Sequence, residues 1–169
     1  MRVLVTGGAG YIGSHAVRAL QKAGHYPVVL DNLVYGHDDI VSNVLKVPLV
    51  VGQVGDREVL STLLWGRHHD LVGTVHEGRP IQAVLHFAAY AYVGESIYDP
   101  VKYYRNNLGD TMTLLETLVA TQKPIPIVFS STCATYGLPQ QVPIGEDHPQ
   151  SPINPYGWSK LMVEQLLRD

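Results

Sequence analysis

The chain alternates short, wholly apolar runs with segments whose apolar residues recur every three or four positions. Residues 2–6, Arg-Val-Leu-Val-Thr, are a β-branched run that stops at Gly7 and Gly8, the pattern of a buried strand entering a turn. From residue 11 to 23, Ile12, Ala16, Ala19 and Leu20 fall at helical spacing, and Gly24 ends the segment. Residues 28–30 predict a second strand, followed by Asp31; residues 48–51 predict a third, 83–87 a fourth and 125–130 a fifth. Helices are predicted over 56–64, over 100–122 with Met112, Leu115, Leu118 and Val119 on one face, and over 156–167. Residues 34–45 fit neither template cleanly. Residues 67–80 are polar and contain glycine, so they read as a loop or a broken helix end, and 139–155 read as a proline-rich loop.

Strands that are apolar throughout, alternating with helices, indicate an α/β fold of the Rossmann type: a doubly wound parallel sheet with helices on both faces. Such sheets bind ligands at the carboxyl ends of their strands. The residues at those ends are Thr6-Gly7-Gly8, Asp31-Asn32-Leu33, Gly52-Gln53-Val54, Phe87-Ala88-Ala89 and Ser130-Ser131-Thr132.

Composition narrows the class. A length of 169 residues suits one domain, residues 1–169, and 46% hydrophobic against 16% charged residues is a globular balance. A net charge of −3 argues against a nucleic-acid binder, which needs a clustered basic excess. One cysteine, Cys133, excludes an internal disulfide and is expected to be a packed residue. No apolar run approaches the ~20 residues of a membrane span, and the first residues lack a basic segment leading into a long apolar one, so the expected location is cytoplasmic. His68, His69 and His76 fall in the polar stretch without a metal-ligand spacing and are expected to be solvated, with no metal bound. Asp38-Asp39 and Glu146-Asp147 read as surface charge.

The chemistry enters at the strand ends. Glycines at 7, 10 and 13 follow a strand and open a helix; the first permits the tight turn, the second lets backbone approach a pyrophosphate, and the third lets helix and sheet pack closely. The helix N-terminus adds free N–H groups and partial positive charge for the phosphates. Asp31, eighteen residues after Gly13, can accept hydrogen bonds from ribose hydroxyls and would repel a 2′-phosphate, so NAD is favoured over NADP. Tyr156 and Lys160 are four residues apart and share a helix face. A neighbouring ammonium stabilises phenolate, which makes Tyr156 a candidate general base.

Six ordered blocks, TGGAGYIGSH (6–15), LDNL (30–33), HFAAYAYVGES (86–96), YYRNN (103–107), FSSTCATYG (129–137) and PYGWSKLMVEQLL (155–167), resemble the extended short-chain dehydrogenase/reductase family, and within it the UDP-sugar 4-epimerases. The resemblance runs from residue 2 to the last residue. It implies tightly held NAD and a reaction without net redox change, the inversion of sugar C4 in UDP-glucose or UDP-galactose, with UDP-arabinose/UDP-xylose as the alternative pair. It also implies roles. Tyr156 would exchange the proton of the 4-hydroxyl, Thr132 would bond the 4-oxygen, and Lys160 would bind the nicotinamide ribose. Gly7, Gly10, Tyr11, Ile12 and Gly13 would form the pyrophosphate turn, and Asp31, Asn32 and Leu33 the adenosine segment. Gln53 and Val54 would lie at the adenine, and Phe87, Ala88, Ala89, Asn106 and Ser130 would line the cofactor. The family habit is a homodimer joined through two helices, here 100–122 and 156–167.

Three features depart from the family pattern. Gln53 stands where an aspartate facing the adenine amino group is usual; its carbonyl can accept the same bond without charge. Ala91 stands where some epimerases carry a lysine. Residues 67–81 are longer than the usual connection, and the extra length is expected on the surface away from the strands' carboxyl ends. A sibling reaction, 4,6-dehydration, uses Asp-Glu after the threonine; here Cys133-Ala134 follow Thr132 and supply no carboxyl. The family's chain continues into a smaller substrate-binding region that 169 residues do not hold, which leaves a non-catalytic NAD-binding remnant as the reading from a different class.

Overall fold

The computed structural model describes residues 1–169, and the chain falls into two compact units: residues 1–88 with 112–130, and residues 89–111 with 131–169. The first unit holds the sheet. Its strands are β1 (Arg2–Thr6), β2 (Tyr26–Asp31), β3 (Leu49–Val51), β4 (Ala83–His86) and β5 (Ile127–Phe129), all parallel, in the order β3-β2-β1-β4-β5. Strand order reverses between β1 and β4, which places the switch point beside the Gly-rich turn.

The strands are apolar throughout because alternate residues enter two different cores. Leu4, Val28, Leu30, Val50 and Val84 pack on one face with Leu60, Leu63 and Leu64 of α2 (Arg57–Leu64). Val3, Val5 and Val29 pack on the other with Val17 of α1 (Tyr11–Lys22) and with Val41 and Leu45. Each such side chain, fully buried, contributes about 1.5–3 kcal/mol before entropy is counted. Asp56 starts α2 by accepting from the N–H groups of Glu58 (2.9 Å) and Val59 (3.1 Å). Residues 34–45, undecided from pattern, contain a wide helical turn at Ile40–Leu45.

The polar stretch after α2 is more structured than expected. His69–Leu71 form a short 3₁₀ turn, Leu71 and Ile81 enter the first core, and His68 and His76 are buried rather than solvated. The segment's polar atoms serve one another. Thr74 Oγ1 donates to the Leu71 carbonyl (2.7 Å) and accepts from the His76 N–H (3.1 Å), and Glu77 accepts from the Gly73 N–H (2.8 Å). That internal bonding hides the apolar positions from a reading of average polarity. Arg2 anchors the segment, its Nε donating to the Pro80 carbonyl at 2.9 Å, so it lies at the amino end of β1, away from the strands' carboxyl ends. His68, His69 and Asp70 cluster here, but the two imidazoles are stacked, 4.3 Å apart and 29° between planes, as a packing pair.

His76 has a titration consequence. Its Nδ1 is buried without a partner, and burial holds its pKa below the usual histidine value. The unfolded chain therefore takes up this proton at a higher pH than the folded one. Stability is fully present above about pH 6.5 and declines as the pH falls below it. Urea unfolding at pH 7.5 and 5.5 should show this loss, and His76→Phe should lessen it, the remainder belonging to His68, whose pKa burial also lowers; an equally steep loss in the variant contradicts the assignment.

The second unit is helical. It contains α3 (Val93–Tyr98), α4 (Pro100–Tyr103), a wide turn at Tyr104–Gly109, a 3₁₀ turn at Cys133–Thr135 and α6 (Pro155–Arg168); α5 (Asp110–Ala120) follows the wide turn. The predicted 100–122 helix is thus interrupted, and α3 precedes it. The buried stripe of α5 is Thr111, Leu114 and Leu118, while Met112 and Val119 are exposed, because two adjacent faces of this helix are apolar and spacing does not choose between them. Cys133 is exposed, not packed. No helix is long and apolar enough to cross a membrane.

Candidate active site

In the first unit, β1 runs into a turn with no side chain in it. Gly7 has φ +71°, a conformation that favours glycine, and a Cβ there would lie 2.6 Å from the Ala88 backbone nitrogen. Gly10 is the N-cap of α1 in extended conformation and offers no side-chain cap to the first turn. The N–H groups of that turn are left for an anion. Tyr11 and Ile12, the first helical residues, hold their side chains in solvent. Gly13 seats α1 against the turn, since a Cβ on it would run into the Gly7 carbonyl. A bare backbone cradle at an uncapped helix N-terminus fits the pyrophosphate of a dinucleotide.

That fit gives a direct expectation. Gly13→Ala should push α1 off the turn, cost about 1–3 kcal/mol of stability and weaken dinucleotide binding together. Unfolding midpoint and cofactor content read both; two unchanged values contradict it.

Asp31 is buried at the end of β2. Its Oδ2 accepts from the Ala9 N–H and its Oδ1 from the Leu33 N–H, both at 2.9 Å. Leu33 is held in the left-handed region, φ +58°, by this bond, the kind of outlier that marks functional segments. Each Asp31 oxygen retains one lone pair for a ribose hydroxyl. Asn32 Nδ2 donates to Gln53 Oε1 at 3.2 Å, so the Gln53 oxygen already carries one partner and keeps one lone pair and its NH₂ for a base. Val54 is buried in the first core, so its side chain packs the sheet. Phe87 and Ala88 follow β4 and pack against the two cores, and the Ser130 N–H continues the ladder to the His86 carbonyl at 3.1 Å.

In the second unit, α6 carries the phenol and the ammonium. Asn154 caps the helix by accepting from the Gly157 N–H (2.8 Å), and Pro155 occupies its first turn. Tyr156 and Lys160 are both buried, and burial lowers the Lys160 pKa to about 8. Thr132 begins the 3₁₀ turn, its Oγ1 accepting from the Ala134 N–H at 3.2 Å, which leaves the hydroxyl proton to donate. Glu164 of α6 accepts from Ser131 Oγ and from Gln150 Nε2 (2.9 Å), fixing the segment that carries Thr132. Asn106 accepts from the Tyr90 N–H (3.2 Å) and donates to Asp110 (3.1 Å), whose carboxyl is raised by burial and drawn back by that bond. Ala89 opens this unit.

Several residues that build this arrangement carry no motif of their own. A Cβ on Gly157 would lie 2.6 Å from the Ala134 carbonyl oxygen, so this glycine lets α6 close on the turn of Thr132. Asn107 is buried in the wide turn, donates to Ser159 Oγ (3.0 Å) and to the Tyr90 carbonyl (3.0 Å), and so ties the register of α6 to the Tyr104–Gly109 turn. A glycine in the first turn of α6, between Tyr156 and Lys160, was the one visible signal, since a glycine inside a helical pattern often has a packing reason.

Residues 3–169 match the NAD dependent epimerase/dehydratase family. Over 168 residues the chain is 47% identical to a UDP-glucose 4-epimerase of Azospirillum brasilense, covering 99% of this chain and 44% of that one. It is 41% identical over 174 aligned positions to a probable UDP-arabinose 4-epimerase of Arabidopsis thaliana, covering 99% of this chain and 39% of that one. Among solved structures, UDP-glucose 4-epimerase from Brucella ovis in complex with NAD superposes with a TM-score of 0.86 at 46% identity, covering 99% of this chain and 47% of that one. The chain thus spans about half the length of the curated relatives it matches.

Proposed function

The chain belongs to the NAD dependent epimerase/dehydratase family, and from that premise we propose that residues 1–169 form the NAD-binding domain of a UDP-sugar 4-epimerase and carry its proton-transferring groups. One observation carries the reading: a buried ammonium, Lys160, one helical turn from a buried phenol, Tyr156, on a helix that Gly157 seats against the turn of Thr132. A lysine is seldom fully buried, and burial brings its pKa toward the range where it can answer a charge on the neighbouring phenol.

Gly7, Gly10 and the first turn of α1 would hold the pyrophosphate of NAD, Asp31 its adenosine ribose, and Asn32, Leu33 and Gln53 its adenine side. Phe87, Ala88, Ala89, Asn106 and Ser130 would be its further contacts. NAD held there would supply the hydride acceptor and donor that inversion at sugar C4 needs. Tyr156 Oη takes the proton of the 4-hydroxyl and gives one back to the 4-oxygen. Thr132 donates its hydroxyl hydrogen bond to that oxygen and holds the C4–O bond in place. Lys160 binds the nicotinamide-ribose hydroxyls and opposes the charge that develops on the phenol.

The substrate pair in this reading is UDP-glucose and UDP-galactose. The identity to a probable UDP-arabinose 4-epimerase supports UDP-arabinose and UDP-xylose as the second pair. Cys133-Ala134 after Thr132 supply no carboxyl for a dehydratase. A homodimer belongs to the same proposal.

The test is to purify the protein, release and quantify its nucleotide, and assay both sugar pairs. The expected result is NAD near one per chain and conversion of UDP-galactose to UDP-glucose. Conversion of the pentose pair alone selects the second reading. NAD without any conversion marks a cofactor-binding protein without catalysis, and a chain that binds no NAD overturns the proposal.

A further inference from the structure

We propose that Tyr103 is a positioning residue for Tyr156, held for that purpose by Glu95 and Lys102. The inference rests on the reading of Tyr156 as the proton-transferring group.

Tyr103 ends α4 and is completely buried. Its ring stands edge-on to the Tyr156 ring, 6.4 Å between centroids at 82°, a favoured aromatic geometry. Tyr156 sits in the first turn of α6, where the backbone is fixed by the Asn154 cap, but a cap does not fix a side chain. The Tyr103 ring supplies a wall against which the phenol of Tyr156 is set.

That wall is itself anchored at its far end. The Tyr103 hydroxyl accepts from the Tyr92 N–H (3.1 Å) and lies 2.8 Å from the Tyr92 carbonyl and 2.7 Å from Glu95 Oε2. Its single proton goes to one of these two acceptors. Glu95 Oε1 is in turn held by Lys102 Nζ at 2.6 Å, and that ammonium lies 4.4 Å above the Tyr90 ring. The bonds from Lys102 and then Tyr103 hold the Glu95 carboxyl below its ordinary pKa, so it is a charged acceptor. Tyr90 packs on Tyr103 from another side, 5.9 Å between centroids.

The Glu95 carboxylate, the Tyr90 ring and the backbone N–H and carbonyl of Tyr92 therefore converge on one phenol that faces no solvent. Packing alone would be met by phenylalanine or leucine. The Glu95 and Lys102 ion pair lies at the surface, where such pairs contribute little to stability, yet it is spent on orienting a buried hydroxyl. The arrangement is economical if the angle of the Tyr103 ring matters. In the proposed reaction it does, because small misplacement of a proton-transferring group is costly in rate.

The experiment measures kcat, KM for the UDP-sugar and bound NAD in the protein that carries this chain, for Tyr103→Leu, Glu95→Ala, Glu95→Gln and the double variant. Tyr103→Leu should lower kcat by about 100-fold with KM and NAD content held, a split that a purely structural role does not give. Glu95→Ala should lower kcat by about tenfold, and Glu95→Gln, which still accepts from Tyr103, should restore most of it. The double variant should be no slower than Tyr103→Leu, because both act through one ring. Wild-type kcat in the folded Tyr103→Leu protein overturns the inference, as does a double variant whose losses multiply. If Tyr103→Leu does not fold, the Glu95 pair decides: equal activity of Ala and Gln overturns it. Tyr156→Phe runs alongside. If that variant still epimerises, the reading of Tyr156 fails; if it is dead while Tyr103→Leu and Glu95→Ala are active, this inference alone fails.

Discussion

Tyr156→Phe should lower the epimerisation rate by about three orders of magnitude and leave NAD bound. The substitution removes one atom, the phenolic oxygen, from a residue whose ring is held on one side by Tyr103 and whose backbone is fixed by the Asn154 cap. Helix α6 keeps its register through Asn107 and Ser159, and the cradle at Gly7–Gly13 is untouched. What would disappear is the proposed proton acceptor for the sugar 4-hydroxyl, and a positioned acid–base group contributes ~10²–10⁴ in rate. A steady-state assay with quantified cofactor checks both halves. A rate within tenfold of the native protein contradicts the role given to Tyr156, and parallel loss of NAD would show that the oxygen holds the cofactor instead.

Lys160→Met should have two effects of opposite sign. Burial brings the Lys160 pKa from its ordinary 10.5 to about 8. At about 1.4 kcal/mol for each pH unit of displacement, keeping this ammonium charged in the cofactor-free fold costs about 3 kcal/mol near neutrality. The unfolded chain holds its proton up to pH 10.5 and the folded chain only to about 8. The cost is therefore full below pH 8, and stability rises with pH through that window. Methionine keeps the length and loses the charge. The variant should gain roughly 2 kcal/mol at pH 7, discounted for the hydrogen bonding the ammonium makes, and its stability should no longer climb between pH 8 and 10.5. Its epimerase rate should fall by about 100-fold or more, since the group that opposes charge on the phenol is gone. Denaturant unfolding across that pH range reads the first effect and kcat the second. A variant less stable than the native chain at pH 7, or one that keeps the rise with pH, contradicts the account of a lysine kept for function against stability.

The parallel sheet was legible because its strands are short apolar runs, and Leu4 and Val5 do enter different cores; the order β3-β2-β1-β4-β5 comes from the structure. The Gly7–Gly13 turn and the place of Asp31 at the end of β2 were legible because both follow from spacing along the chain. The interior of residues 89–111 was not. An i→i+5 turn such as Tyr104–Gly109 has no periodicity of its own, so the pattern ran it into a single helix with α5. The burial of His76 was hidden by its polar neighbours, which satisfy one another and leave the ring inside. The supports of the candidate site, Gly157 on Ala134, Asn107 on Ser159 and Tyr103 on Tyr156, are contacts between residues distant in sequence, and no local motif announces them.

The central claim is that this chain carries the groups for taking a hydride from sugar C4 and returning it to the same carbon without exchange with water. The most direct measurement uses UDP-galactose deuterated at C4, converted by the protein in ordinary water, with the product examined by mass spectrometry and proton NMR. The account predicts UDP-glucose that keeps the deuterium at C4. Product with hydrogen from solvent at C4 would contradict it.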